Sequence, residues 1–275
     1  MAEALVQKST KEKSARDDAA NIVGRLTGDT ATSITDPKFF ERILATLASV
    51  SSRRERGSLL QRTAMVVADI LKSQPQFEKA EKDLNDFFNR AGQLLAGASP
   101  ENKKNLEMAR HIIQLSIVET YLGALEEEGT VQGRTDYLKK SKQVILELIG
   151  VDKIEDVALD KLQTKLLKFI NDPEARDDLV KRTAFATVDI LKGIALDSKD
   201  KELFSRAADL LLAVKNQVVP SSEDFYRLQV SLAEAYLGAE SYQQAIEAIM
   251  ALRLKPKQNI SSPFPMYIPF GEDHA

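Results

Sequence analysis

An internal duplication constrains the fold of this chain more than any other feature of its sequence. Residues 62–73 read RTAMVVADILKS and residues 182–193 read RTAFATVDILKG, with seven of twelve positions identical. Two further pairs of blocks follow in the same order: 88–95 with 204–211, and 115–124 with 230–239. Such repeats are typical of architectures in which copies of one module stack and bury a common core. We therefore predict two stacked copies of one unit, at 37–150 and 157–255.

Both copies show the periodicity of helices. Mostly apolar residues recur every three or four positions, as in two stripes: Leu59, Thr63, Val66, Val67, Ile70 and Leu71, and Ile112, Leu115, Val118, Leu122 and Leu125. Capping side chains before Pro37, Pro100, Pro173 and Glu223 predict helix starts. Because no segment sustains the period-two alternation of strands, the sequence predicts an all-α fold with about five helices in each copy.

Two segments of different composition flank the copies. Residues 1–36 are polar, with one short amphipathic helix predicted between Ala15 and Leu26. Residues 256–275 hold four of the nine prolines, too many for a helix, yet carry large apolar side chains. These are the candidate partner-binding residues: Phe264, Met266, Tyr267, Ile268 and Phe270, with Ile260 beside them. The tail either folds back to cap the last hairpin or docks as an extended ligand on a partner.

Residue types that carry chemistry are scarce. The chain has no cysteine and only two histidines, His111 and His274, which excludes thiolate chemistry and disfavours histidine-based catalysis. The sequence motifs of phosphate loops, dinucleotide folds, serine hydrolases and zinc proteases do not occur. We therefore predict a protein that is not an enzyme and needs no metal or other cofactor.

Charge and hydropathy limit the partners. The net charge is −3, which provides no basic footprint for nucleic acid. No segment approaches about 18 consecutive apolar residues, so membrane insertion is not predicted. The N-terminus also lacks the apolar core of a secretory signal. These features lead us to expect a cytoplasmic protein whose partners are proteins.

An arginine and an aspartate recur together in both copies. Arg62 and Asp69 match Arg182 and Asp189, in each case seven residues apart and therefore on one helix face. Such pairs either bind a ligand at two equivalent positions or anchor neighbouring helices. We expect the anchoring role, because repetition is what packing produces in repeat proteins.

Three other groups are weaker candidates for a site. Glu119 and Glu234 recur, each two residues before a tyrosine, and a carboxylate in an apolar helix can be an acid of raised pKa. Glu107 and His111 have the helical spacing of two metal ligands, but nothing completes a site, and a surface or helix-capping histidine is expected. The acidic stretch 126–129 is interpreted as a solvated loop. For all of these we favour structural roles.

The end of the second copy resembles a tetratricopeptide repeat (TPR). Residues 232–256 read LAEAYLGAESYQQAIEAIMALRLKP, with family residues at the expected spacings: Leu232-Ala233, Tyr236, Ala245 and Ile249. Three positions depart from the family pattern: Pro256 comes one residue early, Leu252 replaces alanine and Glu240 replaces the turn glycine. A weaker match runs from Val67 to Phe87. In the first copy, about ten extra residues, 125–134, are predicted in the hairpin turn.

This resemblance implies an α-solenoid of antiparallel helical hairpins that binds proteins and performs no chemistry. We therefore predict a non-enzymatic protein–protein interaction scaffold, with the tail 256–275 as a docking or capping segment. The alternative is a self-assembling structural subunit, a homo-oligomer in which the tail makes contacts between subunits.

Overall fold

The structure is a computed structural model that describes residues 41–42, 53–72, 76–127, 130–167, 173–220 and 222–253. Several sequence predictions lie outside these residues. They are the N-terminal segment 1–36, the helix start at Pro37, the turn residues Glu128-Gly129, and the tail with Phe264, Met266, Tyr267, Ile268 and Phe270.

The described part of the chain is helical and contains no strand, which confirms the predicted all-α class. Between residues 53 and 253 it forms nine α-helices: α1 (Arg53–Lys72), α2 (Phe77–Leu95), α3 (Pro100–Glu127), α4 (Val131–Ile149), α5 (Leu159–Leu167), α6 (Pro173–Ser198), α7 (Lys201–Val214), α8 (Glu223–Gly238) and α9 (Tyr242–Arg253). Single 3₁₀ turns follow α4 and α7, at Ile154–Asp156 and Lys215–Gln217.

Helices begin where capping chemistry predicts. Helix α3 begins at Pro100, and the Ser99 hydroxyl oxygen accepts a hydrogen bond of 3.3 Å from the backbone N–H of Asn102. Helix α6 begins at Pro173. Helix α8 begins at Glu223, and Ser222 accepts from the N–H of Phe225 at 3.2 Å. These caps satisfy backbone donors that the first helical turn leaves without partners.

The predicted long turn in the first copy is wrong. Helix α3 continues to Glu127 and α4 begins at Val131, so most of the inserted residues lengthen the two helices. Thr130 caps α4 by accepting from the N–H of Gly133 at 3.1 Å. The acidic stretch predicted as a loop is likewise helical at Glu126 and Glu127.

Packing follows the order of the chain. Helices joined by short connections form the hairpins α1–α2, α3–α4, α6–α7 and α8–α9, and α5 packs against α6. The two copies meet where α3 and α4 contact α6. One continuous apolar core runs from Ala64 on α1 to Ala248 on α9. The core therefore includes residues of both copies.

Two equivalent glycines of the repeat have different surroundings. A Cβ atom added at Gly123 on α3 would lie 3.5 Å from Phe77 Cε1, an ordinary contact. A Cβ added at Gly238, at the end of α8, would overlap the buried Phe204 ring of α7. The same Leu-Gly-Ala motif thus permits close helix packing at Gly238 only.

We expect substitutions of these glycines by alanine to have opposite effects on the free energy of unfolding. Gly238→Ala should destabilise the chain by about 1 to 3 kcal/mol, since the buried ring must move. Gly123→Ala should stabilise it by up to about 1 kcal/mol through helix propensity. Urea unfolding followed by circular dichroism measures both. Equal effects of the two variants would contradict this account of the packing.

Candidate functional site: two ion-pair clusters and an exposed helix face

The two copies are joined by a cluster of charges that we call the first clasp. It consists of Asp69 and Lys72 on α1 and Glu119 on α3, and it holds Arg182 from α6 of the second copy. The Arg182 guanidinium donates to both Glu119 oxygens, at 2.9 Å from Nε and 2.8 Å from Nη2. It also reaches Asp69 at 3.4 Å, while Lys72 lies 2.6 Å from Glu119. The bidentate pair therefore joins α3 to α6 in a specific geometry.

The charges of the first clasp are largely removed from water. The Arg182 and Glu119 side chains are 17% and 20% exposed. Burial by itself raises the pKa of Glu119, but the positive charges of Arg182 and Lys72 outweigh it and hold that pKa well below its usual range. Glu119 is therefore an ionised partner for two cations. The alternative role considered for it, an acid of raised pKa, is wrong.

The second copy repeats this cluster at the equivalent positions, the second clasp: Asp189 and Lys192 on α6 and Glu234 on α8. Lys192 lies 2.7 Å from Glu234 and 3.2 Å from Asp189, as Lys72 lies between Glu119 and Asp69. Burial by itself lowers the pKa of Lys192. The negative charges of Asp189 and Glu234 outweigh this effect, so the pKa lies above its ordinary value. Lysine, aspartate and glutamate thus keep the same roles in both copies.

The arginine is what differs between the clasps. Asp189 accepts from Arg227 of the adjacent helix α8 at 3.0 Å, and the Arg227 guanidinium also lies 4.7 Å from the centre of the Phe185 ring. Glu234 has no arginine partner among the described residues, and its side chain is 55% exposed. The second clasp therefore presents a carboxylate at the position where the first clasp receives Arg182.

The helix face around Glu234 is exposed in the same way, and we call it the open face: Val230, Glu234 and Leu237 on α8. Val230 is 45% and Leu237 50% exposed. Their equivalents on α3, Leu115 and Leu122, are only 1% and 9% exposed. Because α3 packs against α6 and carries Glu119 between these two leucines, the equivalent face of α3 is the one turned to the next copy.

Helix α9 adds a second exposed apolar stripe. Tyr242, Ile246, Ile249 and Met250 follow one another at helical spacing and are all exposed. In the first copy, α4 contacts α6, and Leu138 of α4 is buried against Gly193 of α6. The last hairpin therefore exposes apolar side chains on the two helices whose counterparts cover the next copy.

Three of the four recurrent residues, Arg182, Asp69 and Asp189, anchor neighbouring helices, whereas Arg62 is exposed. Arg182 binds Asp69 of the other copy, and Asp189 binds Arg227 rather than Arg182. Sequence reasoning missed the lysines of the clasps, although Lys72 and Lys192 are identical in the aligned blocks. That identity was the available signal, since a cation three residues after an aspartate lies on the same helix face.

His111 is partly buried in the middle of α3, so the prediction of a surface or capping histidine is wrong. Burial, and then the positive charges of Lys165 and Arg110, lower the pKa of His111 to about 4, against the opposing hydrogen bond with Gln114. Within the described residues, no three histidine, aspartate or glutamate side chains are grouped to hold a metal ion. Glu107, the other residue of the suggested pair, is exposed.

The recurrent tyrosines contribute to packing. Tyr121 donates from its hydroxyl to Glu81 of α2 at 2.9 Å, and Lys140 of α4 contacts the same carboxylate at 3.2 Å. Burial and then the Glu81 carboxylate raise the pKa of Tyr121. Tyr236 is partly buried, and its pKa is also raised by burial. Tyr121 therefore joins three helices of the first copy.

Comparisons with known proteins do not assign this chain to a family. No family model matches the sequence, and no curated protein matches it. One solved structure, described as "Computational Design of Self-Assembling Cyclic Protein Homooligomers", is similar at 14% identity and a TM-score of 0.27, covering 93% of this chain and 82% of that one. At that TM-score the similarity supports no further conclusion. In the described part of the chain, no helix has the length and apolar character needed to cross a membrane.

Proposed function

We propose that this chain is a non-enzymatic protein-interaction scaffold built from TPR-like helical hairpins, and that its open face binds an α-helix of a partner protein. One observation carries the proposal. Three positions of α8 are exposed, while the equivalent positions of α3 are largely buried, and Glu119 among them accepts from Arg182 of α6. This face is buried in the first copy, but the described residues leave it exposed on α8. An exposed apolar face of this kind is a typical site for a docked helix.

The covered copy of this face indicates the chemistry of the partner. On α3, the face receives a helix that presents an arginine to Glu119 and a small residue, Gly193, to Leu138 of the adjacent helix. We expect the partner helix to carry a basic side chain for Glu234, flanked by small or apolar residues for Val230 and Leu237. The charge of Glu234 and the shape of the surface around it then both favour the same partner helix, which provides specificity.

A peptide of residues 173–198, the sequence of α6, is the direct probe. We expect the full chain, kept at low concentration, to bind a fluorescent version of this peptide in an anisotropy titration. The dissociation constant should be of the order of 10 to 100 µM, because a single helix forms a small contact and must be ordered on binding. A peptide with Arg182→Glu should bind at least about tenfold more weakly, since like charges then meet.

A matched pair of chain variants locates the binding surface. Leu237→Lys on the open face should remove peptide binding, while Leu196→Lys, at an exposed apolar position of α6, should leave it unchanged. Both side chains are at least half exposed, so neither change should alter the free energy of unfolding by more than about 0.5 kcal/mol. The proposal fails if neither peptide binds, or if both peptides bind equally well.

The tail remains the other predicted interaction segment. A full chain that binds the α6 peptide only after deletion of residues 254–275 would show that the tail covers the open face within its own chain. That result would support capping by the tail and contradict an open face that is free for a partner.

A further inference from the structure

We infer that the partner helix is α1 of a second copy of this chain, so that copies join head to tail through the open face. The inference rests on the proposed function and names the partner. The contact between the two units has two halves, an arginine-bearing helix and a carboxylate-bearing face. The chain contains each half twice. Within the chain one pair of halves is joined, and Arg62 and Glu234, which belong to the two outer halves, are exposed.

The first half is the arginine-bearing helix. Helix α6 presents Arg182 to the first clasp, and α1 has the same sequence at seven of twelve aligned positions, with Arg62 in the place of Arg182. Arg182 is mostly buried by its partners, whereas Arg62 is exposed on α1. A second copy can therefore offer the same helix with the same cation.

The second half is the carboxylate-bearing face. Glu234 keeps the lysine contact that Glu119 has, at 2.7 Å against 2.6 Å, but Glu119 accepts Arg182 in addition. Glu234 therefore has the local arrangement that already accommodates an arginine in the first copy. Val230 and Leu237 on either side are about half exposed, as expected for a contact that lacks its other half.

Repetition of the internal step gives the geometry of assembly. The contact that places α6 on α3 would place α1 of the next copy on α8, so the array would continue through the new copy with the same packing. Such a contact joins two different surfaces, so a pair of chains joined by it still has one unoccupied surface of each kind. It therefore generates a closed ring or an open filament rather than a symmetric dimer.

Light scattering coupled to size exclusion tests this with the full chain. We expect a mass above that of one chain that rises with concentration. Arg62→Glu and Glu234→Arg should each yield a monomer, because each places like charges across the contact. An equimolar mixture of the two variants should assemble again, since the carboxylate introduced on α1 of one variant then meets the guanidinium introduced on α8 of the other. Arg206→Glu, at an exposed arginine of α7, is the matched control and should assemble as the unaltered chain does.

Several results would overturn the inference. A chain that is monomeric at all concentrations overturns it, and if that monomer still binds the α6 peptide, the proposed function stands without it. Assembly that survives both charge reversals places the contact elsewhere on the molecule. Assembly that is lost on deletion of residues 254–275, but not on either reversal, assigns the contact to the tail. Circular dichroism of each variant establishes that a monomer is folded.

Discussion

Replacing Glu119 with glutamine is expected to lower the free energy of unfolding by about 3 kcal/mol. The substitution keeps the size of the side chain but leaves Arg182 and Lys72 with one carboxylate, Asp69, 3.4 Å from each, in place of two. Removing one member of a buried ion pair is costly because the remaining charge stays away from water. The same change at Glu234 should cost less than about 1 kcal/mol, since that side chain is 55% exposed and Lys192 keeps Asp189 at 3.2 Å.

Urea unfolding at one protein concentration, low enough for a single species, measures both variants. The Glu234→Gln variant is a stringent control, because the two glutamates occupy equivalent positions of the repeat and each binds the equivalent lysine. Similar losses at the two positions would contradict the conclusion that Arg182 makes the difference. We also expect the double variant Glu119→Gln, Arg182→Gln to be more stable than Glu119→Gln alone, because it removes a buried cation that has lost its bidentate partner.

Lowering the pH is expected to reduce the free energy of unfolding, over a range that is set by the pKa of His111. The folded chain holds the pKa of this histidine at about 4, below the ordinary value of 6.5, through burial and then the charges of Lys165 and Arg110. The unfolded chain therefore binds the proton more readily. The contribution of His111 is complete above pH 6.5 and is lost as the pH falls towards 4. The loss amounts to about 3 kcal/mol at roughly 1.4 kcal/mol for each pKa unit.

His111→Gln is the variant for this test, since glutamine is polar, similar in size and has no charge to gain. We expect the free energy of unfolding of the unaltered chain to fall between about pH 7 and about pH 4.5, and that of the variant to change much less. Glu119 adds to the acid sensitivity only at a lower pH than His111. Its pKa is depressed, so its contribution to the free energy of unfolding is lost only below the ordinary glutamate range. An identical decline in the variant would assign the acid sensitivity to other groups.

Much of the fold follows from local rules that the sequence displays. Capping residues before Pro100 and Glu223 mark helix starts because backbone donors there need a partner whatever the rest of the chain does. Apolar spacing identifies the buried stripe of α3, including Ile112 and Val118. The same reasoning failed for the extra residues before Tyr137. They were assigned to a turn, whereas most of them lengthen the two helices.

The candidate site is harder to predict because its residues come from three helices distant in sequence. Arg182 and Glu119 are 63 residues apart, and Arg182 and Asp69 are 113 apart. Recurrence shows that such residues matter to the repeat, but it does not show which copy each of them contacts. A charge that acts on His111 likewise comes from the other copy, since Lys165 belongs to the second.

The sequence by itself determined the helical class and the recurrence of three blocks of residues, since both depend on periodicity and identity along one chain. Only the tertiary structure decided which equivalent residues are buried. Leu122 and Leu237 stand in the same motif, yet one is 9% and the other 50% exposed. The physical reason is that burial belongs to a contact between helices. Helix α3 has the next copy beside it, whereas the described residues place no further repeat beside α8.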